Sequence, residues 1–354
     1  MEQGEKIAMN NKFLKRMTVC LLVALCGCGK TTTLPESQPV SEIAANSGDL
    51  QETEPETESE IPGEDISEQI AEYARRPYVY GVVDRGILFL EEDGTLYFAT
   101  DWENPKLEKV EGTYSAIAET PILPMAITED GTIRSMLPFY VYDESDQETE
   151  AVSPDEYIYI DHFEAELLEN AKNIANVYGY DLGACSYVAR YTDGRVGSLN
   201  GPEDMLLFDG EAPLQVAVDV SRGAVGIRKD GTLLTNGEFD QGLEQWKDIV
   251  AVSMNSSDVV GITKDGRVRT TNDGLTHQTK DWENIVAVSV NRDIVVGLKK
   301  DGTVVAASEA VGYDEMFETM ESWENIVAVV VCENGTVIGV HGDRTVEVAH
   351  VQSY

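Results

Sequence analysis

The sequence predicts an all-β fold built from repeats, and three observations carry that prediction. Asp-Gly pairs recur at Asp93-Gly94, Asp130-Gly131, Asp193-Gly194, Asp230-Gly231, Asp265-Gly266 and Asp301-Gly302, with a degenerate Asp343-Arg344 last. Their spacings of 37, 63, 37, 35, 36 and 42 residues define a unit of roughly 36, with an insertion of about 27 in the long interval, and give seven units. Short apolar runs of strand type surround each pair, with no helix expected between them.

Each element of the unit has a local reason. Asp-Gly tolerates the positive φ angles of a tight hairpin turn, so it joins two antiparallel strands. Four positions before the Asp stands a small residue (Ala126, Ala189, Gly226, Gly261, Gly297, Gly339), usually followed by an aliphatic one. Upstream, Ile249–Ser253, Ile285–Ser289 and Ile326–Val330 read I-V-A-V-S or I-V-A-V-V, a strand with Val on one face and Ala or Ser on the other. Small side chains suit close packing near a crowded axis. Strands at this period match the blades of a propeller.

The motif W-[KE]-[DN]-I-V-A-V followed by V-G-[IL]-x-K-D-G-[TR]-[VL], clearest from Trp246 to Val305, resembles the regulator-of-chromosome-condensation repeat in its short bacterial form. The resemblance runs from about Tyr78 to the C-terminus and is strongest in units four to six. It implies a seven-bladed β-propeller over residues 76–354. Unit seven departs from it by placing Arg344 where the turn glycine belongs, and unit three lacks the aliphatic after Ala189. Only one strand follows the last turn while strands precede the first, so the ring is expected to close through a blade mixing both ends of the chain. Trp246, Trp282 and Trp323 stand just before the Ile-Val-Ala-Val strand in three units. They are either packing between blades or an exposed aromatic ring on one face.

The N-terminus reads as an address. Lys12, Lys15 and Arg16 precede an apolar run from Met17 to Leu25 that is too short to span a bilayer, the pattern of an export signal. Leu25-Cys26-Gly27-Cys28 resembles the bacterial lipobox, which implies that residues 1–28 end in a lipidated Cys28 and that the protein sits outside the cytoplasm on a membrane. Ala24–Thr31 nearly fits a phosphate loop, but it lacks the first glycine and the strand-to-helix setting. Residues 29–72 carry twelve acidic side chains and one lysine, the composition of an extended disordered tether. Within its end, Glu64 to Arg75 allows a short helix with Ile66, Ile70 and Tyr73 on one side. Cys185 and Cys332 fall in non-adjacent units and are expected to be separate buried thiols rather than a disulfide.

An acidic insertion at about 138–169 breaks the repeat. From Val141 to Glu169 it holds eleven acidic residues and no Lys or Arg, and it carries Tyr142, Tyr157, Tyr159 and Phe163. These aromatics are candidate partner-binding residues on an arm that meets a basic partner or a cation; the alternative is a solvated loop. Asp143, Glu144 and Asp146 lack the spacing and glycine of a calcium loop. The Asp-Gly aspartates are read as turn residues, so neither a metal nor a cofactor is expected.

Charge and motif content narrow the function. The formal net charge of −38 disfavours nucleic acid and anionic membrane surfaces as partners. It is uneven, with −11 in residues 29–72, −11 in the insertion and −18 in the remaining body. His162, His277, His341 and His350 are scattered, and no H-E-x-x-H or G-x-S-x-G motif occurs, so no catalytic residue is assigned. The sequence thus favours a monomeric, membrane-tethered binding or scaffold propeller for a protein or cell-envelope component. The alternatives are an envelope hydrolase using carboxylates in a central pocket and an enzyme-inhibiting propeller of the secreted type.

Overall fold

The computed structural model describes residues 64–74, 79–83, 85–120, 123–137, 139–142, 158–161, 168–181, 186–199, 206–219, 222–237, 239 and 242–350. The signal, Cys28 and the tether up to residue 63 lie outside the described residues, as does Cys185.

Seven antiparallel sheets form a closed ring. Blade 1 comprises β1 (Val79–Val82), β2 (Gly86–Leu90), β3 (Leu96–Ala99) and the two-residue β4 (Glu108–Lys109). Blade 2 is β5 (Tyr114–Ile117), β6 (Met125–Thr128) and β7 (Ile133–Ser135). A separate parallel pair follows, β8 (Phe139–Tyr142) and β9 (Ile158–Asp161). Blade 3 is β10 (Ile174–Asp181), β11 (Ser186–Tyr191) and β12 (Val196–Ser198); blade 4 is β13 (Val216–Asp219), β14 (Gly223–Ile227) and β15 (Leu233–Gly237). Blade 5 is β16 (Ile249–Met254), β17 (Val259–Thr263) and β18 (Val268–Thr270); blade 6 is β19 (Ile285–Asn291), β20 (Ile294–Lys299) and β21 (Val304–Ser308). Blade 7 is β22 (Ile326–Val331), β23 (Val337–His341) and β24 (Val346–Ala349). The first strand of each blade packs on its neighbour around the ring, and β1 packs on β22 and β23 to close it.

The six Asp-Gly pairs of the repeat form the hairpin turns between the second and third strands, and five of them also dock the next blade. The glycine carbonyls of Gly94, Gly131, Gly231, Gly266 and Gly302 accept the backbone N–H of Tyr114, Ile174, Ile249, Ile285 and Ile326 at 2.9–3.1 Å. Each acceptor turn belongs to one blade and each donor opens the innermost strand of the next. The glycines hold φ between +74° and +83° and their partners come close. A Cβ at Gly231 or Gly302 would stand 3.0 Å from the Cα of Asp248 or Asn325. Asn173, Asp248, Asn284 and Asn325, one before the donating isoleucines, are themselves left-handed at φ 57–59°. That is the backbone reason for the [DN] of the repeat, since Asn and Asp tolerate this region best among residues with a side chain. The aspartates rigidify the turns from within: Asp230 Oδ1 accepts from Thr232 N–H at 3.0 Å and its hydroxyl at 2.6 Å, and Asp301 does the same with Thr303 at 3.0 and 2.7 Å.

The small residue of the second strand makes room for tryptophan. Trp246, Trp282 and Trp323 are 7%, 8% and 3% exposed, and their rings lie over Gly261, Gly297 and Gly339, where a Cβ would meet ring carbons at 2.9, 3.0 and 2.9 Å. In blade 4, Pro213 and Phe208 fill the same place over Gly226. A second set of bonds runs near the axis. Val252, Val290 and Val331 N–H donate to Gln215 Oε1, Ser253 Oγ and Ser289 Oγ of the preceding blades at 3.0, 3.1 and 3.0 Å.

Three expectations change. The ring does not close through a mixed blade, because β1–β4 and β22–β24 each form a sheet from contiguous chain. Closure instead uses side chains where the repeat breaks: Arg344, at the glycine position with φ 73°, donates to Glu91 at 2.9 Å and lies 4.9 Å from the Tyr97 ring. Cys332, a buried free thiol, packs in the same seam beside Gly81. Helices do lie between blades, at α2 (Asp273–Thr279) and α3 (Asp314–Glu321). Asn272 caps α2 by accepting from Gly274 and Leu275 N–H, and Met316 and Met320, one turn apart, bury α3 against the core. Finally, residues 64–72 are not tether: α1 (Ser67–Ala74) docks with Ile66 and Ile70 buried at 3% and 0% and Ile66 N–H donating to Lys264 O at 2.8 Å. An apolar stripe at positions 66, 70 and 73 outweighs the local acidity.

Gly302→Ala is expected to lower the unfolding free energy in urea by about 1–3 kcal/mol, the cost of a left-handed alanine plus displacement of Asn325. Gly312→Ala, at φ +98° with nothing within 4 Å, carries only the backbone part and so a smaller loss; equal losses would show that docking adds nothing.

Candidate functional site

The innermost strands of all seven blades line an axial channel of about 380 Å³. Its walls are mostly Val, Ala and Ser, the residues of the I-V-A-V-S run, because larger side chains would collide there. Polar character gathers where these strands finish: Glu119 follows β5, Asp219 ends β13, Asn255 follows β16, Asn291 ends β19 and Glu333 follows β22. At the other end, where the strands begin, α1 packs on β16 and β19 and Tyr73 joins the lining.

One side of the channel holds Tyr80, Glu119, Asn176, Tyr178 and Arg190. The Glu119 backbone is fixed by two bonds that tie blade 2 to blade 3, from its N–H to Val177 O at 2.9 Å and from Gly179 N–H to its carbonyl at 2.7 Å. Its side chain is half-buried in the channel wall, and desolvation there pushes its pKa up to about 7. Burial and the charge of Glu119 push the Tyr178 phenol above its ordinary range, and the same two causes act on Tyr80. Arg190 donates to Pro213 O at 3.2 Å, while its Nε is buried with no acceptor. At Glu333 burial raises the pKa, Arg292 opposes it, and the nearby Asp219 adds to the rise. Loop bonds hold this rim: Asn255 Nδ2 donates to Arg292 O at 2.6 Å, and Arg292 Nε to Glu333 O at 2.5 Å.

The residues singled out from sequence lie elsewhere. The Asp-Gly turns and the three tryptophans are in blade hairpins and blade packing, as described above. Tyr142 and Tyr159 fall on β8 and β9, where Tyr142 pairs with Asp161 and Tyr159 with Tyr140 in parallel register. The insertion therefore contains a strand pair rather than loop alone. Tyr157 and Phe163, like Cys28, are outside the described residues. Neither the turns nor the tryptophans belong to the channel cluster, which sequence reading missed. A signal was available, since an acidic or amide residue closes the inner strand in units two, four, five, six and seven. Among the described residues no group of three His, Cys, Asp or Glu could hold a metal ion, and no helix is long and apolar enough to cross a membrane.

No protein-family model and no curated protein matches the chain. Solved structures do resemble it in part. Yeast RCC1 (Prp20), in its complex with Kap60, is 11% identical with a TM-score of 0.47 over 90% of this chain and 86% of that one. The WD40 β-propeller domain of Doa1 is 13% identical with a TM-score of 0.43 over 78% and 92%, and the computationally designed Ika8 protein 16% identical with 0.44 over 79% and 97%. All three scores lie below 0.5, and the propeller assignment rests on the seven sheets of this chain.

Two opposite pH dependences follow. The turn aspartates, held below their ordinary range chiefly by Thr95, Thr232 and Thr303 hydrogen bonds at Asp93, Asp230 and Asp301, stabilise above the usual carboxylate range and lose that contribution as pH falls through their depressed values. Glu119, raised, stabilises fully below the ordinary carboxylate range and loses this as pH rises through about 7. Urea unfolding of the Glu119→Gln variant is expected to lose less stability between pH 6 and 8 than the parent; equal slopes would contradict the buried assignment.

Proposed function

We propose that this protein is a binding propeller held outside the cytoplasm by a lipid on Cys28, presenting the rim where its inner strands finish to a protein or cell-envelope component. Propellers commonly act as rigid scaffolds whose loops carry recognition. The observation that carries the reading is the polar rim on small-residue walls: acids, amides and phenols converge there from several blades, and the loops around them are cross-bonded between blades. Such a surface is preorganised for a ligand, which lowers the cost of binding. The Leu-Cys-Gly-Cys sequence supports the anchor, and the acidic stretch after it supports a tether. The aromatic arm at 138–169 is a further candidate contact for a basic partner.

An envelope hydrolase is the second reading. It draws on one observation, a half-buried carboxyl at Glu119 with its pKa raised to about 7 in the same channel as Asp219 and Glu333. Paired pKa values pushed apart are what general acid-base chemistry uses, but no nucleophile-base pair accompanies it among the described residues.

Cys28→Ala is expected to move the protein from the membrane fraction to the soluble extracytoplasmic fraction; unchanged fractionation would remove the anchor. Affinity capture from envelope extract should yield a partner that Asp219→Arg and Glu333→Arg variants lose and that deletion of residues 138–169 weakens. Retention by both rim variants would move the binding surface away from the channel.

A further inference from the structure

Blades 6 and 7 pair matching helices with matching outer strands but finish the strand edge differently. Helices α2 and α3 align through Trp282 and Trp323, which sets buried Leu275 against Met316, buried Thr279 against Met320, and Gln278 against Thr319. In blade 6, Lys299 N–H donates to Thr303 O at 2.9 Å, so antiparallel alternation turns the backbone of Val304, Ala306 and Ser308 outward. The Gln278 amide closes that edge. Its Nε2 donates to Ser308 O at 2.9 Å and its Oε1 accepts from Ser308 N–H at 3.2 Å, as a further strand would.

Blade 7 has the same edge without the clamp. His341 N–H donates to Thr345 O at 2.9 Å, so Val346, Val348 and His350 turn their backbone outward. The shorter Thr319 spends its hydroxyl on Glu315 O at 2.9 Å. Among the described residues no hydrogen bond reaches the N–H or C=O of Val348 or His350, and β24 has no strand beyond it. A cleft of about 450 Å³ lies there, lined by Thr319, Val348 and His350. At the position of Val346, blades 1 and 3 show what fills such an edge. Leu96 O accepts from Val110 N–H and Val196 O from Leu207 N–H, both at 2.8 Å.

Charge chooses the kind of segment. Between Lys300 and Arg344 the chain has nine Asp and Glu and no Lys or Arg, and Asp314 and Glu315 line the cleft itself. Val311, 98% exposed and next to the lining Gly312, adds an apolar contact. An open strand edge is a template for another strand, whose main-chain bonds give affinity while side-chain contacts give selectivity.

We infer that the outer edge of β24 and the cleft beside α3 form a docking site for an extended, basic peptide segment of a partner protein, added to blade 7 as a fourth strand. The site is on the outermost strand of its blade and stands independently of the rim surface proposed above.

Fluorescence anisotropy of the full chain in mild detergent uses labelled Lys-Val-Thr-Val-Lys, capped at both ends, as probe. The controls are Glu-Val-Thr-Val-Glu and the basic probe N-methylated at its central residues, which cannot donate main-chain bonds there. Saturable binding of the basic probe is expected, weakened at least tenfold by Thr319→Gln, which rebuilds the blade 6 clamp, and by Asp314→Lys. Glu283→Gln, which removes an exposed carboxylate 3.6 Å from Arg267, should leave it unchanged. Exchange of the Val348 and His350 amides should slow at least tenfold at saturation. No saturable binding, equal binding of either control, or binding that Thr319→Gln or Asp314→Lys leaves intact would overturn the inference. A dimer that Thr319→Gln dissociates would also overturn it, by giving the edge to a second copy; binding seen only after deletion of residues 351–354 would give it to the chain's own end.

Discussion

A single backbone hydrogen bond, from the first residue of an inner strand to the carbonyl of the preceding blade's turn glycine, organises this molecule. It recurs at five junctions with nearly constant length, and it explains three features of the repeat together. The glycine is required because the neighbouring backbone lies where a Cβ would be, the Asn or Asp before the strand because that residue must turn left-handed, and the isoleucine because it enters the core at once. A β-sheet needs its inner edge and faces covered, and here the covering is supplied by the next copy of the same unit.

Two departures from the repeat fall where the ring must be joined to itself. Unit seven has Arg344 in place of the turn glycine and Val330 in place of the serine that bonds the next blade in units five and six. Both changes make sense at a seam between the two ends of the chain. The blade that follows has a different sequence, so the backbone contact is replaced by an arginine that reaches Glu91 and Tyr97 and by packing of Cys332 against Gly81. Exposed ion pairs contribute little on their own, so the buried cluster of Val79, Ile87, Phe89, Ile338 and Val340 carries most of the seam.

Much of this was legible in the sequence, because turn chemistry and small-residue positions are local and repeat. The limits were also physical. Asp209-Gly210 and Asp273-Gly274 share the dipeptide but sit in a 3-10 turn and at the start of α2, since their flanks lack the strand pattern. Helices α2 and α3 were hidden because each is about two turns long and gains stability from tertiary contact rather than propensity. Ring closure was misjudged because a strand count at each end cannot tell how strands partner. The channel cluster was missed for a related reason: Glu119, Tyr178, Arg190, Asp219 and Glu333 come from four blades, and only closure of the ring brings them to one cavity.

The channel is therefore a consequence of the junctions, since five of the seven inner strands are set by the bond at their first residue, and the strands deliver their last residues to the rim. Native-state hydrogen exchange at the amides of Ile249, Ile285 and Ile326 tests that dependence most directly. These amides are expected to exchange only through global unfolding, with the same free energy as the central strands β17 and β20. Exchange at the rate of the surface turns, with the central strands still protected, would show that the blades are held by side-chain packing alone and that the junction bond does not organise the ring.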